Sequence, residues 1–221
     1  MNNRELELNL KDGTILWANL QMPKELRGLI IFAHGSGSSR FSSRNNYVAD
    51  ILSEHHLATL LSDLLTIPED KKYENRFNIA LLSVRLVKVT ELALQQSAME
   101  YLPIGYFGAS TGVAAALLAA AQLQTFVKTV VSRGGRPDLA KQALAEVKAS
   151  TLLIVGSLDT DVIEVNKQAY DMMKCKKRME IVQDASHLFE EPGKLDEVAQ
   201  LAANWFDENL LVHALLENHK K

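Results

Sequence analysis

The sequence predicts an α/β fold: a mostly parallel sheet with an antiparallel amino-terminal hairpin and helices on both faces. Apolar runs of strand length alternate with longer segments of helical length through most of the 221 residues, an order typical of parallel sheets. Hydrophobic residues make up 47% of the chain and charged residues 23%, as in ordinary globular proteins. We therefore expect a single domain over residues 1–221, with a substantial apolar core.

A β-hairpin is expected first. Residues 4–10 and 14–22 alternate apolar with polar side chains, and Asp12 and Gly13 stand between the two runs as a turn signal. The continuous apolar character of residues 28–35 fits a strand that is covered on both faces. Further strands are expected at 58–65, 103–109, 127–132, 151–157 and 178–184.

Helices are expected between these strands, at 43–56, 76–97, 111–123, 137–148 and 162–175. The carboxy-terminal helix has apolar residues at three- and four-residue spacing, which predicts one stripe packed on the sheet: Leu195, Val198, Leu201, Ala202, Trp205 and Phe206. Ligands of such sheets bind beyond the carboxyl ends of the strands. The segments to examine for function are therefore 34–40, 108–112, 156–161 and 184–189.

Bulk properties exclude several classes of partner. A net charge of −3 with mixed signs gives no basic field for nucleic acid or an anionic membrane. Cys175 is the single cysteine, so no internal disulfide can form. The amino terminus is acidic where a signal peptide is apolar, and no run reaches the roughly 20 apolar residues of a membrane span. We expect a cytoplasmic protein without nucleic-acid or membrane partners, and its oligomeric state stays open.

Ser110 is the candidate nucleophile. It lies in the pattern G-x-S-x-G at residues 108–112, after a strand-like run and before an alanine-rich helical run. A sharp strand-to-helix turn of this kind exposes the serine hydroxyl above a sheet. The alternative is a structural turn whose serine caps the next helix. Small residues after it, beginning with Gly112, would let that helix pack close to the sheet.

A serine nucleophile needs a base and an acid that orients the base. His187 is the best placed of the six histidines, because it follows the last predicted strand at the same edge as Ser110. Asp159 ends the preceding strand and is the preferred acid, with Asp161 second and Asp184 also possible. The chain order of serine, acid and histidine is the one expected when the serine lies on such a turn.

Two backbone N–H groups would stabilise the oxyanion, that of Thr111 and that of Ser36 or Gly37. A rival interpretation of the same turn is a dinucleotide-binding loop, with Asp63 as the ribose-binding acid. Arg40 occupies the place of the third glycine, which weakens that alternative. With one cysteine and no H-E-x-x-H pattern, we expect neither a metal nor a cofactor.

Taken together, residues 33–39, 107–112, 154–166 and 185–193 resemble the α/β-hydrolase superfamily, and more closely its dienelactone-hydrolase-like branch. The resemblance covers nearly the whole chain and implies a mostly parallel sheet without a large lid, a serine or cysteine nucleophile, an acyl-enzyme and hydrolysis by water without a cofactor. Dienelactone hydrolases carry a cysteine nucleophile where this chain has Ser110. The expected substrate is therefore a small carboxylic ester or related acyl compound.

Substrate clues lie in two segments. Arg133 or Arg136 follows a strand at the active edge and could pair with a substrate carboxylate, although Arg136 could instead pair with Asp138. The polar connection 66–77 could overhang the pocket. Acyl transfer and cofactor-free perhydrolysis would use the same residues as hydrolysis, and a non-enzymatic binding module on the same fold is the remaining alternative.

Overall fold

The computed structural model describes the backbone of residues 2–218 and the side chains of residues 3–210. This part of the chain forms one eight-stranded sheet in the order β1-β2-β4-β3-β5-β6-β7-β8. The first two strands form an antiparallel hairpin, β2 pairs antiparallel with β4, and the other neighbours are parallel. The predicted fold class is confirmed. The strands are β1 (Asn2–Asn9), β2 (Ile15–Met22), β3 (Gly28–Ala33), β4 (Leu57–Ser62), β5 (Ile104–Ala109), β6 (Val127–Arg133), β7 (Ser150–Gly156) and β8 (Lys177–Val182).

Helices or 3-10 turns fill every connection from β3 to β8. None of the helices in the described part of the chain is long and apolar enough to span a membrane. The α-helices are α1 (Ser43–Glu54), α2 (Ile67–Asp70), α3 (Ile79–Leu94), α4 (Gly112–Gln122), α5 (Thr160–Met172) and α6 (Lys194–Asn218), and 3-10 turns cover Tyr73–Phe77 and Pro137–Glu146.

Two of the predicted helices were wrong in extent or type. The helix predicted at 76–97 begins at Ile79, because the Asn78 side chain accepts a hydrogen bond from the Leu81 N–H at 3.1 Å and caps the helix there. The helix predicted at 137–148 is a run of 3-10 turns, interrupted at Ala140 with φ of −111°. Short 3-10 pieces of this kind serve as connectors.

The apolar core lies in two layers, one on each face of the sheet. Alternate residues of a strand point to opposite faces, so Ile31 of β3 belongs to one layer and Phe32 to the other. Residues of α3, α4 and α5 complete the first layer, and residues of α1 and α6 complete the second. Because both faces are covered, β3, β4 and β5 are buried along their whole length.

Gly112 brings α4 unusually close to the sheet. A Cβ atom at this position would lie 2.2 Å from the carbonyl oxygen of Ala33 and 2.5 Å from that of His34. Any larger residue would push the helix away from β3. The helix that begins directly after Ser110 is thereby fixed against the neighbouring strand end.

The connection 66–77 lies beside the turn that follows β3. One guanidinium nitrogen of Arg76 would be 3.7 Å from a Cβ atom on Gly37. Arg85 of α3 holds the start of this connection through a 2.9 Å ion pair with Glu69. Burial raises the pKa of Glu69, but hydrogen bonds from Thr66 and the charge of Arg85 outweigh burial and leave the pKa lowered.

Candidate active site

Six parallel strands end at the same edge of the sheet, and the predicted site residues follow four of them. Ser36 comes after β3, Ser110 after β5, Asp159 after β7 and His187 after β8. Arg133 is the last residue of β6, directly beside the end of β5. The topology therefore brings segments that are distant in sequence to one edge.

Ser110 occupies the turn between β5 and α4 with a positive φ of +50°, a region that non-glycine residues rarely adopt. Its N–H donates to the carbonyl of Arg133 at 3.2 Å, and its own carbonyl accepts from the N–H groups of Arg136 at 3.1 Å and Val113 at 3.2 Å. In the described structure no side chain caps α4, so nothing supports the alternative that Ser110 serves as a helix cap. The backbone is held in the strained turn from both sides.

His187 lies against Asp159, with Nδ1 at 2.6 Å from Oδ2. Asp159 is the first residue before α5, and its side chain makes no cap hydrogen bond to that helix, which leaves the carboxylate to the imidazole. Asp161 and Asp184, the other acids considered, are both exposed. A carboxylate on Nδ1–H fixes the tautomer in which Nε2 is free to accept a proton.

Gly134 lies between the surroundings of Ser110 and His187. A Cβ atom on Gly134 would lie 3.0 Å from the carbonyl oxygen of His187 and 3.4 Å from its Nδ1, and Gly134 follows Arg133, whose carbonyl accepts the Ser110 N–H. The hydrogen bonds of the described residues do not include one between Ser110 Oγ and His187. Catalytic hydrogen bonds are often long before substrate binds and tighten in the complex.

The turn after β3 meets the nucleophile turn at Thr111. The N–H of Ser36 donates to Thr111 Oγ1 at 2.9 Å, so this predicted oxyanion donor already has an acceptor within the protein. A Cβ atom on Gly35 would lie 3.1 Å from the Ser110 Cβ. The N–H of Ser36 is therefore aimed at the residue that follows the nucleophile.

His34 organises this turn, a role that the sequence did not reveal. Its Nδ1–H donates to the Gly35 carbonyl at 3.0 Å, and its Nε2 accepts from the Leu64 N–H at 3.2 Å. Burial lowers the pKa of His34, against the opposite effects of the Gly35 hydrogen bond and the charges of Asp63 and Asp70. The neutral imidazole thus ties the turn after β3 to the segment after β4.

Asp63 does not face an open dinucleotide site. Its carboxylate accepts from the backbone N–H of Arg40 at 2.9 Å and also pairs with the Arg40 guanidinium. Arg40, which stands where a third glycine would be, is further held by Glu5 at 3.0 Å. These bonds occupy the Asp63 carboxylate, which a dinucleotide site would need for the ribose hydroxyl.

The two arginines considered for substrate binding differ in the pairing of their guanidinium groups. Arg136 pairs with Asp138 through two hydrogen bonds of 2.8 and 2.7 Å, as the structural alternative expected. Arg133 is 7% exposed, and its buried Nε and Nη1 have no hydrogen-bond partner among the described residues. Burial, with a smaller contribution from the charge of Arg44, lowers the pKa of Arg133 to about 10. A buried guanidinium without an acid is costly unless an anion joins it.

The loop that carries His187 is anchored by two residues that the sequence did not single out. Phe189 is buried although its φ is +56°, and Glu191 accepts the Ser186 N–H at 3.1 Å. Phe189 and Glu191 both lie close to His187 in the same loop. Their signal in the sequence is weak, because a phenylalanine and a glutamate in a loop have many other uses.

Comparisons with known proteins show a related sequence and a related fold. No family model matches the chain. The solved structure of a dienelactone hydrolase from Anabaena variabilis is 48% identical, with a TM-score of 0.91 over 94% of this chain and 98% of that one. The ferulic acid-bound structure of Est1E from Butyrivibrio proteoclasticus is 18% identical, with a TM-score of 0.82 over 93% of this chain and 99% of that one. At that identity the likeness shows the fold alone.

Two curated relatives from Mycobacterium tuberculosis, with the provisional name phosphoribosyl transferase, are 50% identical over 208 residues, which are 94% of this chain and 47% of their length. The chain thus spans about half the length of the curated relatives it matches. The dienelactone hydrolase, in contrast, is matched over nearly all of its length and at 48% identity. The chain therefore belongs to the α/β-hydrolase superfamily, in its dienelactone-hydrolase-like branch.

Proposed function

We propose that the chain is a serine hydrolase that cleaves a small carboxylic ester or related acyl compound. The observation that carries the proposal is the 2.6 Å contact between His187 Nδ1 and Asp159 Oδ2, at the same edge as a serine held at a φ of +50°. An oriented imidazole at the same strand edge as a half-buried turn serine is the arrangement that nucleophilic acyl transfer requires.

In this scheme the Ser110 hydroxyl adds to the substrate carbonyl while His187 Nε2 takes its proton. Asp159 stabilises the imidazolium and keeps the ring in its orientation. The imidazolium then returns the proton to the leaving alcohol, and an acyl-enzyme forms on Ser110. Water deprotonated by His187 attacks that ester and releases the acid, which restores the free hydroxyl.

The oxyanion would be held by the N–H groups of Thr111 and Ser36. Thr111 N–H lies at the start of α4, where first-turn N–H groups have no helical partner. The Ser36 N–H would exchange its bond to Thr111 Oγ1, 2.9 Å long, for one to the developing oxyanion. Donors contribute most when they are aimed before charge develops, so the Ser36 N–H, which must first leave Thr111 Oγ1, would contribute less than the Thr111 N–H.

A serine hydrolase of this kind is expected to label at Ser110 with a fluorophosphonate probe and to lose ester turnover in Ser110→Ala. Removing the nucleophile of a triad lowers kcat by roughly 10⁶-fold. Intact-mass and peptide mass spectrometry measure the adduct, and Ser39→Ala, at a serine of the neighbouring turn, is the control. Unlabelled Ser110 in folded protein, or undiminished turnover in Ser110→Ala, would contradict the proposal and favour a binding module.

Arg133 is proposed to favour esters whose acyl part carries a carboxylate. Its Nε and Nη1 are buried without a partner, and the backbone of the same residue bonds Ser110. A guanidinium can bind a carboxylate through two parallel hydrogen bonds. An anionic substrate would supply the missing acceptor.

In Arg133→Met we expect kcat/KM for an anionic ester to fall by about 10- to 100-fold, the equivalent of one or two charge-assisted hydrogen bonds. Turnover of a neutral ester of the same size should be retained. Arg136→Met is the matched control, because Arg136 already pairs with Asp138. Equal losses for neutral and anionic esters would remove Arg133 from the substrate site.

Hydrolysis and acyl transfer share every step up to the acyl-enzyme. Competing water against an alcohol, a thiol or hydrogen peroxide during turnover separates them by product. The transferase name belongs to relatives about twice as long as this chain. This chain matches about half of their length, and the contact between His187 and Asp159 lies within this chain. Hydrolysis is the function that the site favours.

A further inference from the structure

The connection of residues 133–136, which we call the clamp, touches both the proposed nucleophile and its base. The clamp accepts the Ser110 N–H at the Arg133 carbonyl, 3.2 Å away, and donates the Arg136 N–H to the Ser110 carbonyl at 3.1 Å. At its centre, Gly134 packs on His187 so closely that a Cβ atom would lie 3.0 Å from the His187 carbonyl oxygen. The position of the clamp therefore sets the position of Ser110 relative to His187.

The two glycines of the clamp leave it little freedom to shift. Gly134 has a φ of +52°, and its N–H donates to the Ile154 carbonyl of β7 at 2.8 Å. A Cβ atom on Gly135 would lie 2.1 Å from Ser132 Oγ and 2.6 Å from Val113 Cγ2. Because β6 and α4 both press on the clamp, a small displacement of Gly135 is transmitted to its neighbours.

Asn166 holds the clamp from a different element. It is fully buried on α5, and its Nδ2 donates to the Gly135 carbonyl at 2.9 Å and to the Val162 carbonyl at 2.8 Å. Among the hydrogen bonds of the described residues, no other side chain bonds the backbone of the clamp. The Asn166 Oδ1 is buried and finds no partner within the described part of the chain, so the amide is used here as a donor only.

Helix α5 links this contact to the proposed acid. Asp159 stands immediately before the helix and contacts His187, and Asn166 lies about two turns further on. One rigid helix therefore carries both the acid and the side chain that fixes the clamp. Any rotation or shift of α5 would move both contacts together.

We propose that Asn166 is a positioning residue that fixes the separation of Ser110 and His187 through the Gly135 carbonyl. The inference rests on the proposed serine hydrolase function. Asn166 itself is buried behind the clamp and acts on the reacting atoms only through it. Its effect should therefore fall on the chemical step more than on substrate binding.

In Asn166→Leu, which keeps the branching at Cγ and removes the donor, we expect the fluorophosphonate labelling rate of Ser110 and kcat to fall by about 10- to 100-fold. A misplacement of about 1 Å has a cost of that size. KM for a neutral ester, which does not use Arg133, should change by less than about threefold, because uniform binding is not removed. Asn166→Ser is the second variant: its hydroxyl is too short to reach Gly135, and a slower labelling rate is expected there too.

Asn209→Leu is the matched control. Asn209 is a buried asparagine on α6, and its Nδ2 donates to the Trp205 carbonyl one turn earlier at 2.8 Å, just as Asn166 bonds Val162. Urea denaturation measures the free energy of unfolding of each variant. We expect both leucine variants to lose stability, and only the Asn166 variants to label slowly.

The outcomes separate this inference from the proposed function. Wild-type protein that is folded and leaves Ser110 unlabelled overturns the proposed function and the inference with it. Wild-type protein that labels, together with a folded Asn166→Leu or Asn166→Ser that labels at the same rate, overturns the inference alone. Equal slowing in Asn166→Leu and Asn209→Leu also overturns it, because the effect would then follow general destabilisation.

Discussion

At the scale of the residue, the candidate site concentrates strained backbone. Ser110 and Phe189 have φ angles of +50° and +56°, and an L-residue in this region costs about 1–2 kcal/mol. The Gly35 carbonyl and the Leu64 N–H hold the ring of His34 in one tautomer between them. The backbone strain at Ser110 and Phe189 is offset by contacts that fix the site before a substrate binds.

His34 should make the stability of the protein depend on pH. Burial lowers its pKa in the folded state, whereas an unfolded histidine takes up a proton near pH 6.5. Below about pH 6.5 the unfolded chain therefore binds more protons, and the free energy of unfolding falls by up to about 1.4 kcal/mol per pH unit. The stability from neutral His34 is present above this window and is lost as the pH falls through it.

Urea denaturation of wild type and His34→Gln between pH 8 and pH 5 measures this contribution. The wild type should lose more stability than the variant on acidification. Parallel stability curves for the two proteins would contradict the assignment of the effect to His34.

The candidate site residues could be located because each follows a strand end, and strand ends are visible as apolar runs. The same pattern favours Asp159 over Asp161, and Asp159 is the acid that contacts His187. The role of His34 and the lack of a partner for Arg133 could not be predicted, because both depend on which loops meet in three dimensions. A sequence shows the donors, but the fold decides which acceptors they reach.

At the scale of the element, close contact between α4 and β3 positions the turn that holds Ser110. The predicted alanine-rich helix lies at Gly112–Gln122, and its glycine start explains how it approaches the strand end. The segment predicted as a helix at 137–148 adopts 3-10 turns instead, with non-helical backbone angles at Ala140. Local breaks of this kind are decided by packing against neighbours and are weakly coded in the hydrophobic pattern.

Gly112→Ala should destabilise the fold by about 1–3 kcal/mol, the usual cost of forcing extra volume into a packed core. The added methyl group would lie 2.2 Å from the Ala33 carbonyl oxygen, so helix or strand must move. Ala121→Ser, at a partly exposed position of the same helix, is the control and should cost a few tenths of a kcal/mol. Equal midpoints of urea denaturation for the two variants would show that α4 can adjust freely.

At the scale of the whole molecule, one sheet supports both core layers. The layer of α3, α4 and α5 and the layer of α1 and α6 share the same central strands. Separation of these strands would expose the side chains of both layers to water. We therefore expect the described part of the chain to unfold as one cooperative unit at equilibrium.

The two tryptophans report on opposite edges of the sheet. Trp17 lies on β2, and Trp205 lies on α6 with its indole N–H 3.4 Å from the Ser150 carbonyl of β7. In Trp205→Phe the fluorescence follows the hairpin edge, and in Trp17→Phe it follows the α6 edge. Within each variant the fluorescence midpoint in urea should coincide with the far-ultraviolet circular dichroism midpoint, and separate midpoints would show that the edges unfold independently.

The left-handed backbone at Ser110 lowers the stability of the fold at a residue whose side chain the proposed reaction needs. Glycine adopts a φ of +50° without the steric cost that serine bears there, so a chain with glycine at this position would be inactive in the proposed reaction and relieved of about 1 kcal/mol of strain. The greater freedom of glycine in the unfolded chain offsets part of that relief. The strain at position 110 is therefore tolerated for the hydroxyl that serine supplies in the proposed reaction.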